Sequence, residues 1–137
     1  MNRQSALVLA IAALALAGCS SIGDVGSKVG IGPASPAEQK LAEGVALYDR
    51  GDFAAAIRTL QSHEIADGDV GTRVRANKYL AFSYCVTQRR TQCRRSFDTA
   101  LRLDGTFELE AAEAGHPIWG PVYAQARKAA EQRRGRR

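Results

Sequence analysis

Little in this sequence could build a sheet or a reaction centre. No segment shows sustained alternation of apolar and polar residues, so half-buried strands are excluded and an all-helical domain is expected. Histidine occurs only twice, at His63 and His116, and neither has companions at metal-ligand spacing. His116 precedes Pro117, which pushes its backbone away from helix and fits a turn or cap. No glycine-rich phosphate loop follows a strand. Glu108, Glu110 and Glu113 have the spacing of a solvated helix face rather than of a paired acid and base. The expectation is a protein that is not an enzyme, with no metal and no small-molecule substrate. Cysteine is also scarce, with three in 137 residues. Cys85 and Cys93 are not spaced as a CxxC redox motif. Long apolar runs are missing except for one, Ala6 to Leu16, and it is too short to span a bilayer comfortably.

That run is what the N-terminus does contain. Met1 to Ser5 is polar with a single positive side chain, Arg3, and the uncharged apolar stretch follows it and ends in small residues. This is the layout of a secretion signal. Leu16-Ala17-Gly18-Cys19 then resembles a bacterial lipobox. The resemblance implies cleavage after Gly18, a diacylglycerol on the Cys19 thiol and an N-acyl lipid on the new amine; no other cofactor is expected. An ordinary secretory signal cut near a cysteine is the alternative. Each buried methylene contributes about 0.8 kcal/mol, so two or three acyl chains hold firmly. Ser20 rather than Asp after the cysteine favours, by analogy with enteric sorting, an outer-membrane lipoprotein facing the periplasm.

Cleavage would leave 119 of the 137 residues, enough for one modest domain, and lower the formal net charge from +5 to +4 as Arg3 leaves. Positive charge gathers at the end, in Arg127, Lys128, Arg133, Arg134, Arg136 and Arg137. On an exported chain such an end is a solvated helix terminus set against its own dipole, with no nucleic acid expected. Contact with anionic lipid head groups or the cell wall is the sharper alternative. In an oxidising compartment Cys85 and Cys93 form an even pair, which suggests a structural disulfide closing a short loop; two buried thiols that never pair are the other reading.

Residues 1–18 are thus read as signal, 19–34 as a lipidated tether rich in Gly and Ser, 35–132 as the helical domain and 133–137 as a basic tail. Ser35-Pro36-Ala37-Glu38 has the form of a capping box with proline at the first helical position. A helix is predicted from Pro36 to about Arg50, with Leu41, Val45 and Tyr48 on one face. Gly51 ends it and Asp52 caps the next, Phe53 to about His63. Ala66 to Gly71 reads as a loop. Helices are then expected over 72–87 and 91–103, a short one over 107–114, and a last amphipathic one carrying Trp119, Val122, Tyr123 and Ala126. Trp119 beside Gly120-Pro121 reads as core more readily than as a ligand platform.

The helix pairs repeat. Gly44 and Leu47, then Ala56 and Leu60, occupy the places that Ala81 and Tyr84, then Cys93 and Phe97, take 37 residues later. Together with Asn77, Leu80 and Ala100 this resembles the tetratricopeptide pattern, whose period is 34 residues plus here a few in the Gly/Asp loop. Lys40 and Glu43 depart from that pattern, His63 stands where Ala is common, and the turn Gln88-Arg89-Arg90 lacks the usual Gly. The resemblance implies about two helix hairpins closed by a C-terminal capping helix, and it places Cys85 and Cys93 on facing helices of one hairpin. Together with Tyr84-Cys85, Gln92-Cys93 and Ala112 to Pro121, the chain resembles small lipoproteins associated with type VI secretion systems (the TssQ-like family). That implies a periplasmic accessory of an envelope-spanning machine.

The expected function is a lipid-tethered scaffold that takes a protein or peptide partner in a small concave groove, for which Lys40, Arg50, Arg73, Asn77 and Lys78 are the lining candidates. Secretion-system membrane components are the specific partners this implies. Envelope maintenance through peptidoglycan contact is the alternative.

Overall fold

The computed structural model describes residues 32–136. The expected signal segment, Cys19 and nearly all of the expected tether lie outside the described residues, as does Arg137. Among the described residues the chain is all-α, with seven helices and no strand.

The first hairpin is built by local signals legible in the sequence. Helix α1, Pro36–Asp49, opens with the expected capping box. The Ser35 hydroxyl accepts from the Glu38 amide, and the Glu38 carboxylate accepts from the Ser35 amide at 2.7 Å. Gly51 turns the chain with φ +79°, where a Cβ would be strained. Asp52 then caps α2, Phe53–Leu60, by accepting from the Ala55 amide. The two helices touch at Gly44, where a Cβ would stand 2.5 Å from Leu60 Cδ2.

Helix α2 is shorter than its pattern suggests. Ser62 interrupts it, and a separate single turn, α3 (His63–Ala66), follows and tucks Ile65 into the core. The expected loop shrinks to Asp67–Asp69. Asp69 restarts the chain as α4, Val70–Val86, by accepting from both the amide and the hydroxyl of Thr72. Helix α5, Arg90–Leu103, completes the second hairpin.

The two hairpin turns match atom for atom. In the first, the Asp52 amide donates to the Leu47 carbonyl at 3.0 Å; in the second, the Arg89 amide donates to the Tyr84 carbonyl at 2.8 Å. Where the first has Gly51 the second has Gln88, at φ +62°. Cys85 and Cys93 face each other across that turn and are disulfide-bonded, with Cα atoms 5.2 Å apart.

Beyond α5 the chain departs from simple hairpin stacking. Of the helix expected over 107–114 only α6, Ala111–Ala114, forms. The Tyr123 hydroxyl holds the preceding residues in another shape, accepting from the Leu109 amide and donating to the Phe107 carbonyl. Helix α7, Gly120–Arg134, then packs on α5. Val122 and Gln125 share a hollow with Arg90 and Arg94, while Ala130 and Arg133 share one with Leu101 and Gly105. The two helices therefore run in the same direction, and residues 104–119 are the return crossing that this requires. Arg133 and Arg134 belong to α7, so the expected boundary at 132 is displaced: the basic tail is largely a helix end.

One core joins these parts. Leu60, Phe97 and Cys93 are fully enclosed, and Trp119, Val122 and Tyr123 close the cluster from the α7 side. No helix among the described residues is long and apolar enough to cross a membrane.

Candidate functional site

Helices α1 and α4 lie side by side and leave a hollow of about 410 Å³ between them, lined by Glu38, Leu41, Ala42, Val45, Asp49 and Arg75 among others. Its floor is apolar and its rim charged, acidic from α1 and basic from α4. Such a rim can fix the direction of a bound segment whose apolar side chains enter the floor.

An aromatic row lies alongside in the core. Tyr48 meets Tyr79 edge-on at 5.3 Å between centroids, Tyr79 meets Phe82 at 5.9 Å, and Phe82 stacks on Trp119 at 4.3 Å. Burial pushes the Tyr48 phenol above its ordinary pKa, so it stays neutral. The return crossing covers the Phe82 end of this row. Glu113 takes the Lys78 ammonium at 2.7 Å, and the Glu113 carbonyl accepts from the Trp119 indole N–H at 2.9 Å. His116 stacks flat on Trp119 at 3.5 Å, with its Nδ1 accepting from the Ile118 amide. The histidine thus terminates a turn, and Trp119 is a core residue at 7 % exposure.

None of the five expected groove residues lines the hollow between α1 and α4. Lys78 is committed to Glu113, with its side chain only 16 % exposed. Lys40 pairs with Glu43 along α1, and Arg50 is the exposed C-cap of that helix. The Asn77 side chain donates to the Arg73 carbonyl. Asn77 lines a separate hollow with Gln61, Tyr84, Gln92 and Arg95. The cation of the groove is Arg75, which sits 37 positions after Glu38. The repeat offset does not single it out, because the same step carries Leu41 to Lys78 and Val45 to Phe82.

The residues expected to define the repeat are in the core: Gly44, Ala56, Leu60, Leu80, Ala81, Tyr84, Phe97 and Ala100 are buried, and Leu47 is half-buried. Among the described residues no three side chains of His, Cys, Asp or Glu gather as a metal site. Glu108 and Glu110 are exposed, and the former pairs with Arg127.

No protein-family model, no curated protein and no solved structure matches this chain.

Proposed function

We propose that this chain is a lipid-anchored envelope scaffold of tetratricopeptide-like build. Cys19 carries the acyl anchor in the outer membrane, on the periplasmic side, and the hollow between α1 and α4 takes a short helix or extended peptide of a partner protein. The observation that carries the reading is the correspondence of the two hairpins. Gly44 and Ala81, Leu47 and Tyr84, Gly51 and Gln88, Ala56 and Cys93, Leu60 and Phe97 are each 37 residues apart and do the same job in their hairpins. Stacked hairpins of this kind leave a concave face whose side chains their own packing does not need. Glu38, Ala42 and Arg75, exposed at the edge of the hollow, are such side chains, and Leu41 and Val45 form the apolar floor beneath them. The specific form of the proposal, resting on the sequence resemblance, is an accessory of a type VI secretion system whose partners are its membrane components.

The test is in-cell photocrosslinking from Ala42 and Ala46 in the groove, with Arg58 on the exposed side of α2 as control. Secretion-system membrane proteins captured from the groove positions, not from Arg58, and fading when Cys19→Ala removes the anchor, are the expected result. Equal capture of abundant envelope proteins from all three positions would sink the scaffold reading.

A further inference from the structure

Charge along the second half of the chain is sharply partitioned. Residues 89–103 and 120–136, which are α5 and α7 with their flanks, hold ten Lys or Arg and only two acids, Asp98 and Glu131. The crossing between them, 104–119, holds four acids and no Lys or Arg. Because α5 and α7 run in the same direction side by side, their positive charge forms one continuous seam. Arg90, Arg94 and Arg95 border its first hollow, and Arg102, Arg133 and Arg134 its second.

The seam is not neutralised from within. Asp98 is shared by Arg94 at 3.2 Å and Arg133 at 3.9 Å, and Arg127 is held by Glu108 and Glu131. Arg90, Arg95, Arg102, Lys128 and Arg134 have no carboxylate within 4.0 Å among the described residues. Helix α5 even opens on Arg89 and Arg90 with no acid in its first turn and no side-chain cap. Positive charge at the positive end of a helix dipole is unfavourable for the isolated fold. The chain therefore carries a field there that its own packing does not call for.

We infer that the α5–α7 seam is a docking face for an anionic lipid surface. Its geometry suits head groups: two parallel helices of 14 and 15 residues make a strip roughly 20 Å long at about 1.5 Å per residue. Position suits them too. The start of α1 lies beside the start of α4, since Ala37 and Thr72 both stand close around Gly68. The disulfide hairpin returns the end of α5 to that same end of the molecule, where Gly105 abuts Arg134. The chain thus enters the domain at the end where Arg102 and Arg134 sit. This part rests on the lipid-anchor reading: residues 20–34 fully extended reach at most about 50 Å, which keeps the seam within range of the leaflet that holds Cys19. Each basic side chain near an anionic leaflet strengthens binding about five-fold. Anchor and seam then act as the two signals that together give firm attachment.

The experiment uses the full chain with Cys19→Ser, which has no acyl group to confuse the reading. Its sedimentation is measured with neutral phosphatidylcholine vesicles and with vesicles containing 30 % phosphatidylglycerol. Neutral vesicles report whatever the apolar run 6–16 contributes. The expected result is at least about thirty-fold tighter binding to the anionic vesicles, abolished in about 0.5 M salt. The same preference should fall to near the neutral baseline in Arg90→Gln/Arg95→Gln/Arg102→Gln/Arg134→Gln, with an unchanged helical spectrum. Arg50→Gln/Arg58→Gln, in the first hairpin, serves as control and should bind like the parent. No preference for phosphatidylglycerol, or a quadruple variant that keeps it, overturns the proposal. So does a preference for isolated cell wall over vesicles. Labelled palmitate incorporation that is lost in Cys19→Ser tests the anchor separately, so failure of either reading is seen by itself.

Discussion

Gly51 and Gln88, one in each hairpin turn, hold the same left-handed backbone, at φ +79° and +62°. Glycine does so freely; glutamine must place its Cβ near the following carbonyl, at about 1 kcal/mol. Exchanging the two chemistries should move stability in opposite directions. Gly51→Ala is expected to lower the unfolding free energy by about 1 kcal/mol or more, and Gln88→Gly to raise it by up to about 1 kcal/mol. Urea unfolding followed by circular dichroism checks both, and a destabilising Gln88→Gly would contradict the account.

The second turn has a support that the first lacks. The Cys85–Cys93 bond joins α4 to α5 where the first hairpin has only Tyr48 and Ala56. On the chain-entropy model a loop this short contributes about 2–3 kcal/mol. Cys85→Ser/Cys93→Ser should therefore unfold at clearly lower denaturant, and reducing agent should shift the parent to the same midpoint while leaving the double variant unmoved.

Lys78 and Glu113 tie the crossing to α4, with side chains 16 % and 23 % exposed. Removing one partner leaves the other poorly solvated, so Lys78→Ala or Glu113→Ala should each cost about 1–3 kcal/mol. The double variant should cost less than their sum. Trp119 is the single tryptophan, and its stacking with Phe82 and His116 makes its fluorescence the natural probe of whether the crossing has lifted.

Four carboxylates sit below their usual range for local reasons: Glu38 through the backbone and hydroxyl of Ser35, Glu64 first through its own backbone amide, Asp69 through the hydroxyl and amide of Thr72, Asp104 through those of Thr106. A depressed carboxylate stabilises the fold above its ordinary pKa, and that contribution is lost as pH falls through the lowered value. Stability should be flat from about pH 5 to 8 and fall below about pH 4. Asp69→Asn, which keeps an acceptor at the cap, should show a shallower acid loss in urea midpoints measured against pH.

The local grammar of this chain was legible before its structure. The capping box at Ser35, the stop and start at Gly51-Asp52 and the paired cysteines each act over a few residues, and each is where the sequence implied. What escaped depends on residues far apart in the chain. Lys78 has the sequence position of a groove-lining candidate because nothing near it announces Glu113, 35 residues on. Residues 107–110 have helical composition, yet the Tyr123 hydroxyl claims their backbone. Arg75 carries no local mark of its place, because the groove is a property of two helices together. The direction of α7 follows from the core it must cover, which no local pattern encodes.

That direction has a consequence for assembly. A third hairpin laid on α5 would need the flank that α7 already covers, so one side of the stack is sealed. The flank of the α1–α2 pair carries no such cover among the described residues. Among the described residues the stack is thus open at the first hairpin, and a neighbour that prolongs it there would leave the arginine-rich side facing outward at the terminus of whatever is built.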